Sequence, residues 1–179
     1  MIVTAYYESP IGRMLLAADG DALVGLWLEG QKYFGDSLHG GHREQDDFPV
    51  LLQAKGWLDR YFAGEKPRIA ELKLAPAGSA FRKAVWERLC RIPYGEVTTY
   101  GQIARQIATA YGKDSMSSQA VGGAVGHNPI SVIIPCHRVV GATGSLTGYA
   151  GGIAKKIHLL THEGAYAEGF FVPKKSTAP

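Results

Sequence analysis

The sequence predicts an α+β protein, in which a small N-terminal antiparallel sheet precedes a mainly helical C-terminal part. Within residues 4–30, short runs rich in Val, Leu, Ile and Tyr are separated by turn signals at residues 9–12 (SPIG) and 19–21 (DGD). From residue 80 onward, apolar residues recur instead at helical spacing. The first pattern predicts two β-hairpins, and the second predicts several helices.

One helix is expected to cover the N-terminal sheet. After a polar loop at residues 33–47, Asp47 can cap a helix, Pro49 suits its first turn and Gly64 can close it. Its apolar residues follow helical spacing and form one face: Leu51, Leu52, Trp57, Leu58, Tyr61 and Phe62.

Three further helices follow in the C-terminal part. Ser79 can cap "AFRKAVWERLCRI", which Pro93 ends, and Thr98 or Thr99 can cap "YGQIARQIATA". After the polar turn "YGKDSM", the short helix "SSQAVGGAVG" stops at residues 128–129 (NP). The last two helices form a candidate helix-turn-helix, although most helix pairs of this kind bind nothing.

The second helix of this pair has almost no side-chain bulk. Each glycine costs up to about 1 kcal/mol of helix propensity, so the composition needs a reason. Close packing against a neighbouring helix is one explanation, and close approach to a ligand surface such as a DNA minor groove is the other. The small residues concerned are Ala120, Gly122, Gly123, Ala124 and Gly126.

Beyond this helix, "ISVIIPCHRVVG" predicts an extended run that turns sharply at Pro135. A glycine-rich loop follows, and then a last helix at residues 153–164 that is expected to bury Ile153, Ile157 and Leu160.

Domain boundaries and charge divide the chain in the same place. The linker "KLAPAGSA" predicts domains at 1–75 and 76–165, followed by a tail at 166–179 that shows no periodicity and whose end we expect to be mobile. Residues 1–75 carry 8 Lys/Arg against 11 Asp/Glu, a net charge of −3, whereas residues 76–179 carry 11 against 5, a net charge of +6. This asymmetry suggests that the C-terminal part meets a polyanion, although a solvated surface could carry the same excess.

Composition excludes several classes of protein. No apolar run approaches the roughly 20 residues that a membrane span needs, and the N-terminus lacks the features of a signal peptide. Two cysteines form no disulfide scaffold, so a reducing cytoplasm is the simpler location and no membrane partner is expected. His39 and His42 lack further ligands to complete a metal site, so no metal is expected.

Cys136 is the candidate nucleophile, because a histidine follows it directly. A thiol with a pKa of roughly 8.5 needs a base, and a carboxylate can orient that base. His137 is the candidate base, reached through the turn at Pro135 or a bridging water, and Glu163 is the candidate orienting carboxylate. The simpler interpretation is a buried structural cysteine, and it is preferred for Cys90 on its apolar helix face.

The segment "NPISVIIPCHRVVGATGSLTGYAGG", with "FRKAVWERLCRIPYGEVTTYGQIA" before it and "HEG" after it, closely resembles the O6-alkylguanine-DNA alkyltransferases, the methylated-DNA–protein-cysteine methyltransferases. The resemblance runs from about residue 81 to residue 164 and is most specific at "PCHRV". It implies a ribonuclease-H-like first domain and a winged helix-turn-helix second domain.

The resemblance also implies a role for each site residue. Cys136 would accept the alkyl group, His137 through a water and Glu163 would generate the thiolate, Asn128 would support the pocket turn, and Tyr100 would donate to the leaving guanine. The base pocket would be formed by Tyr149, Ala150, Gly151, Val139 and Ser131. The DNA contacts would be made by Gln119, Ala120, Gly122, Gly123, Thr99 and Arg138.

The implied function is direct reversal of DNA damage in a single turnover. The alkyl group of O6-alkylguanine, with O4-alkylthymine as a second candidate substrate, would pass irreversibly to Cys136. The base would first be rotated out of double-stranded DNA bound through its minor groove. No cofactor would be needed, and the protein would act as a monomer. Gln119 stands where the family usually has an intercalating arginine, which predicts weaker DNA binding or slower base flipping, and Ala150 stands where a serine is common.

Three other functions remain open from the sequence. An alkyltransferase-like lesion binder would signal to another repair pathway, but such proteins are expected to lack the acceptor cysteine. A DNA-binding redox sensor would need a well-placed second cysteine, and a cysteine hydrolase would need an oxyanion hole.

Overall fold

A computed structural model describes residues 1–174 of the chain and has mixed α+β architecture. The chain divides into two compact units, the first formed by Met1–Ala77 with Pro129–Ile133 and the second by Gly78–Asn128 with the chain from Ile134 onward. The strands are β1 (Ile2–Ser9), β2 (Gly12–Asp19), β3 (Ala22–Leu28), β4 (His42–Glu44), β5 (Thr98–Thr99) and β6 (Val139–Val140). The helices are α1 (Pro49–Phe62), α2 (Ala80–Leu89), α3 (Tyr100–Ala110), α4 (Ser118–Gly126) and α5 (Ile153–His162), with 3-10 turns at Ile69–Glu71 and Cys136–Arg138.

The first unit is a four-stranded sheet in the order β3-β2-β1-β4, covered by α1. Both predicted hairpins are present, because β1 pairs antiparallel with β2 and β2 pairs antiparallel with β3. The Tyr7 hydroxyl donates to Asp59 of α1 at 2.7 Å, which shows that the odd-numbered side of β1 faces the helix. On the opposite face of the sheet, Leu15, Ala17 and Trp27 form a second apolar cluster.

Two N-terminal details differ from the prediction. The polar loop contains β4, three exposed residues that pair in parallel with β1, so backbone pairing rather than side-chain pattern makes this strand.

Helix α1 begins after Phe48 and not after Asp47, and no side chain caps it. Pro49 at the first helical position has no N–H, so one of the unpaired donors of the first turn is absent. Gly64 follows the helix with φ +90°, as expected for a closing glycine.

The run that was predicted to be extended is in fact a series of turns. Pro129 and Ser131 bond to the backbone of Leu26 in β3, through Leu26 N–H to Pro129 O at 2.8 Å and Ser131 N–H to Leu26 O at 2.9 Å. Val132 then has φ 70°, and the Ile133 N–H bonds to the Ser131 carbonyl at 2.8 Å. A β-branched residue rarely adopts this conformation, and full burial of Val132 in the first unit compensates for its cost.

The second unit packs α2 and α3 against α4, and the Trp86 indole N–H donates to the Ala124 carbonyl at 2.8 Å. The predicted caps at Ser79 and Thr99 are confirmed, since both hydroxyls accept from a backbone N–H three residues on. Strands β5 and β6 pair in parallel, which brings the start of α3 beside the segment that follows Cys136.

The tail is docked at its start. Phe170 packs against a cluster that includes Leu160, and the Leu146 N–H donates to the Phe171 carbonyl at 2.9 Å. Its expected mobile end, residues 175–179, lies outside the described residues. Over residues 1–174, no helix combines the length and the apolar composition required to cross a bilayer.

Candidate active site

Cys136 begins a 3-10 turn that directly follows the bend at Pro135. The Cys136 N–H donates to the Ile134 carbonyl at 2.8 Å, and the turn leads into β6. The thiol is not in a disulfide, and its residue is only 5% exposed. The turn places Cys136, His137 and Arg138 around one short helical segment instead of on alternating sides of a strand.

Burial raises the pKa of the Cys136 thiol above its usual value. A hydrogen bond with Asn128, the charge of Lys156 and local backbone N–H groups act in the opposite direction but are weaker. Asn128 also donates to the Ile134 carbonyl at 2.9 Å, so one buried amide holds both the bend and the sulfur. At neutral pH the resting side chain is therefore a thiol, and attack requires a base.

His137 and Glu163 form a fully buried pair, with Nε2 and Oε2 2.7 Å apart. Since a carboxylate only accepts, the proton of the imidazole lies on Nε2 and Nδ1 is left as an acceptor. The Nδ1 atom is buried and has no hydrogen-bond partner among residues 1–174. Burial lowers the pKa of His137 more than Glu163 raises it, so the ring is neutral and able to take a proton.

Arg138 occupies a different place from the predicted one. Its residue is 6% exposed, its Nε and Nη2 donate to Glu163 at 2.7 and 3.0 Å, and its Nη1 donates to the Ile92 carbonyl at 2.7 Å. The expectation that Arg138 contacts DNA is therefore wrong. The family resemblance implied a DNA contact, whereas in the structure the buried carboxylate of Glu163 pairs with this charge.

Tyr100 and Thr99 lie where α3 begins. The Tyr100 hydroxyl donates to the Thr147 carbonyl at 3.0 Å, and burial raises its pKa. The Thr99 hydroxyl accepts from the Gln102 N–H at 3.1 Å, which makes it the helix cap. Thr99 is half-buried, and its role as a helix cap is established. Its contact with DNA stays a prediction.

The predicted pocket residues lie mostly in the turn before α5. The Gly152 N–H donates to the Tyr149 carbonyl at 3.0 Å, while Ala150 and Gly151 in between are half-buried. The Tyr149 ring stands edge-on to His137 at 6.5 Å, and its buried hydroxyl has no partner among residues 1–174.

Two other pocket candidates have different surroundings. The Val139 carbonyl accepts from the Lys156 ammonium. Ser131 belongs to the first unit, where its buried hydroxyl donates to Gln31 at 3.2 Å.

Lys156 was missed by the sequence analysis. It is fully buried, its ammonium donates to the Val139 and Thr147 carbonyls, and burial lowers its pKa to about 8. The sequence did contain a signal, because Lys156 lies between Ile153 and Leu160 at helical spacing on the apolar face.

Tyr94 and Gly95 were missed as well. The Arg138 guanidinium lies 5.7 Å from the centre of the Tyr94 ring. Gly95 has φ +83°, and a Cβ there would lie 3.3 Å from the Glu163 carbonyl oxygen. The segment "PYGEV" thus lies against the Arg138 guanidinium and the backbone of Glu163.

Two glycines of helix α4, Gly122 and Gly123, occupy positions where packing does not require a glycine. Gln119 and Ala120 are exposed, and Ser117 caps the helix through the Ala120 N–H at 3.1 Å. A Cβ at Gly123 would meet nothing within 4 Å, and one at Gly122 would make only ordinary contact with the Tyr100 ring. Close helix packing therefore does not explain these two glycines.

No group of three or more His, Cys, Asp or Glu side chains within residues 1–174 could hold a metal ion.

Comparison with known families accounts for both parts of the chain. The family model described as "6-O-methylguanine DNA methyltransferase, ribonuclease-like domain" matches residues 2–76, and "6-O-methylguanine DNA methyltransferase, DNA binding domain" matches residues 80–165.

Individual proteins give the same result. A methylated-DNA–protein-cysteine methyltransferase of Haemophilus influenzae is 40% identical over 158 residues, covering 88% of this chain and 84% of that protein. One from Methanosarcina acetivorans is 44% identical over 162 residues, covering 90% and 97%. The crystal structure of Mycobacterium tuberculosis OGT in complex with DNA is 40% identical, covers 92% of both chains and has a TM-score of 0.77. Two matching domains and relatives at this level of identity show that the chain belongs to the methylated-DNA–protein-cysteine methyltransferase family.

Proposed function

We propose that this protein repairs DNA by moving the alkyl group of O6-alkylguanine onto the sulfur of its own Cys136. The observation that carries the proposal is a buried thiol, followed by a neutral histidine whose ring a buried carboxylate orients. Family membership supports the reaction class, and the geometry of Cys136, His137 and Glu163 supports the roles that we propose for them.

The reaction is a single displacement at the alkyl carbon. A bond forms from Cys136 sulfur to carbon as the bond from carbon to O6 breaks, and its electron pair stays with the guanine. His137 takes the thiol proton on Nδ1, directly or through a water, and Glu163 stabilises the imidazolium. Tyr100 donates to the leaving guanine, for which its hydroxyl must exchange the Thr147 carbonyl for the base.

The product explains the expected stoichiometry. A thioether is chemically stable and is not hydrolysed in water. Each molecule therefore acts once, no cofactor takes part, and the alkylated protein is an end product.

The DNA must deliver its base to the site. Because the Cys136 residue is 5% exposed, its sulfur cannot reach a carbon that is stacked inside a duplex, so the nucleotide rotates out at a cost of a few kcal/mol. Tyr149, Ala150 and Gly151 line the base pocket, and the backbone of Val139 recognises the base.

Helix α4 lies in the minor groove, where exposed Ala120 and half-buried Gly122 and Gly123 add little side-chain bulk and permit close approach. Gln119 fills the space in the duplex that the rotated base leaves, and Thr99 contacts the DNA backbone nearby. The minor groove carries a degenerate pattern, so binding depends little on sequence. The protein works as a monomer in the cytoplasm, where its substrate is double-stranded DNA.

The stoichiometry tests the proposal. A duplex carrying O6-[³H]methylguanine is titrated with protein, and label transferred to protein is counted after DNA digestion. Transfer that stops at one methyl group per molecule supports the proposal. Tight lesion binding without transfer would favour a lesion binder, and continued turnover would favour a hydrolase.

A further inference from the structure

We infer that Arg138 is a positioning residue for alkyl transfer, which fixes the orientation and the charge of the carboxylate that directs His137. The inference rests on the proposed function, because it concerns how the base of that reaction is prepared. It replaces the DNA contact that the sequence suggested for this arginine.

The geometry restricts the carboxylate in two directions. Arg138 Nε holds Oε1 of Glu163 at 2.7 Å, and Nη2 holds Oε2 at 3.0 Å. A planar guanidinium that binds both oxygens prevents rotation of the carboxylate about its last bond. The third contact, from Nη1 to the Ile92 carbonyl at 2.7 Å, anchors the guanidinium itself.

His137 depends on that restriction, because Oε2 is the atom that it shares with Arg138. The Nε2–Oε2 distance is 2.7 Å, and this bond keeps the proton on Nε2 and the acceptor on Nδ1. His137 and Arg138 are neighbours in one 3-10 turn. The same turn therefore positions both side chains that bind the Glu163 carboxylate.

Charge supplies a second reason. Burial alone would raise the pKa of Glu163, but His137 and Arg138 outweigh it and hold that pKa well below its usual range. A neutral imidazole contributes a hydrogen bond, whereas Arg138 contributes a permanent charge. Without it, Glu163 would bind a proton more readily. A neutral carboxyl group is a weaker acceptor for Nε2 of His137 and supplies no charge to stabilise the imidazolium.

Other titratable groups face this network. Tyr94 lies beside Arg138, Tyr149 lies edge-on to His137, and the Lys156 charge acts on His137. Both tyrosines are neutral at physiological pH, and Lys156 lowers the pKa of His137 as Arg138 does. Arg138 is therefore the cation that binds the carboxylate directly.

The experiment separates the fork geometry from the charge. Arg138→Lys keeps the charge and loses the fork, and Arg138→Gln loses both. Arg60→Gln is the matched control, because Arg60 pairs with Glu71 at 3.2 Å on the surface of the first unit. Single-turnover transfer from an O6-methylguanine duplex is measured from pH 5 to pH 9 at saturating DNA, with DNA affinity and thermal unfolding measured in parallel.

We expect Arg138→Lys to slow transfer by about tenfold or more at all pH values, since a small displacement of a catalytic group is costly. Arg138→Gln should transfer more slowly than Arg138→Lys. As the pH is lowered, its rate should begin to fall at a higher pH than that of the natural protein. DNA affinity should stay within about twofold for both variants, and Arg60→Gln should match the natural protein. Natural rates with an unchanged pH profile would overturn the inference.

A double variant keeps the test decisive if Arg138→Gln does not fold. An arginine that acts only through Glu163 adds no further loss of rate to Glu163→Gln, so Arg138→Gln/Glu163→Gln should transfer as slowly as Glu163→Gln alone. A double variant that is folded but about tenfold slower than Glu163→Gln would refute the inference. Absence of transfer by the natural protein would refute the proposed function, and this inference with it.

Discussion

The substitution Gly123→Ala should stabilise the protein and weaken its binding to DNA. Gly123 lies inside α4, and an added Cβ would meet no atom within 4 Å. Alanine therefore gains its helix propensity without strain, about 0.8–1 kcal/mol. For a unit of roughly 100 residues, this gain raises the melting temperature by about 4 °C or more.

The same methyl group should interfere with the DNA. If α4 lies in the minor groove, the methyl group occupies space that the sugar-phosphate backbone needs, and the helix must move outward. Loss of about 1.4 kcal/mol of contacts corresponds to a tenfold higher Kd. We expect an increase of about that size for undamaged and alkylated duplexes alike.

A matched control exists in α1. Gly56 is also helical, and a Cβ there would also meet nothing within 4 Å. Gly56→Ala should raise the melting temperature similarly and leave DNA affinity unchanged. Fluorescence anisotropy at fixed salt and thermal unfolding measure the two quantities. If Gly123→Ala were stabilised yet bound DNA as tightly as the natural protein, this face of α4 would not be the DNA surface.

Three further predictions concern single residues. The pKa of Glu163 in the folded protein lies below its usual value of 4.5. The ionised carboxylate therefore stabilises the folded protein above about pH 4.5, and this contribution is lost as the pH falls below that value. At pH 7 the free energy of unfolding, measured by urea denaturation, should be about 3 kcal/mol lower for Glu163→Gln than for the natural protein. The difference should shrink as the pH is lowered toward 3, and a difference that stays constant would contradict this prediction. Lys156→Met removes a charge that lowers the pKa of Cys136, so iodoacetamide should alkylate Cys136 several-fold more slowly near pH 7, and an unchanged rate would exclude that electrostatic role. Gln119→Arg adds the missing positive charge and should speed repair, and equal repair rates would show that Gln119 is an adequate substitute.

Local features of the fold could be predicted from the sequence. The hairpins follow from turn residues between short β runs, and the caps at Ser79 and Thr99 follow from hydroxyl side chains in front of helical patterns. Strand β4 could not be predicted, because its three exposed residues become a strand only through hydrogen bonds to β1.

The site was predictable in part, and largely through the family resemblance. His137 and Glu163 are 26 residues apart, so only the fold brings them to 2.7 Å. Lys156 was overlooked because lysine is usually exposed, and here two backbone carbonyls compensate for its burial. The DNA contact of Arg138 was implied by the family resemblance, and its partner Glu163, 25 residues further on, becomes its neighbour only through the fold.

The most direct test of the account is a mass measurement of the protein after reaction with a duplex containing O6-methylguanine. Intact mass and peptide mapping are recorded for the natural protein and for Cys136→Ala. We predict a gain of one methyl group, located on Cys136, together with restored guanine in the DNA and no gain in the variant. A methyl group on another residue such as Cys90, or no gain despite lesion binding, would contradict the proposed role of Cys136.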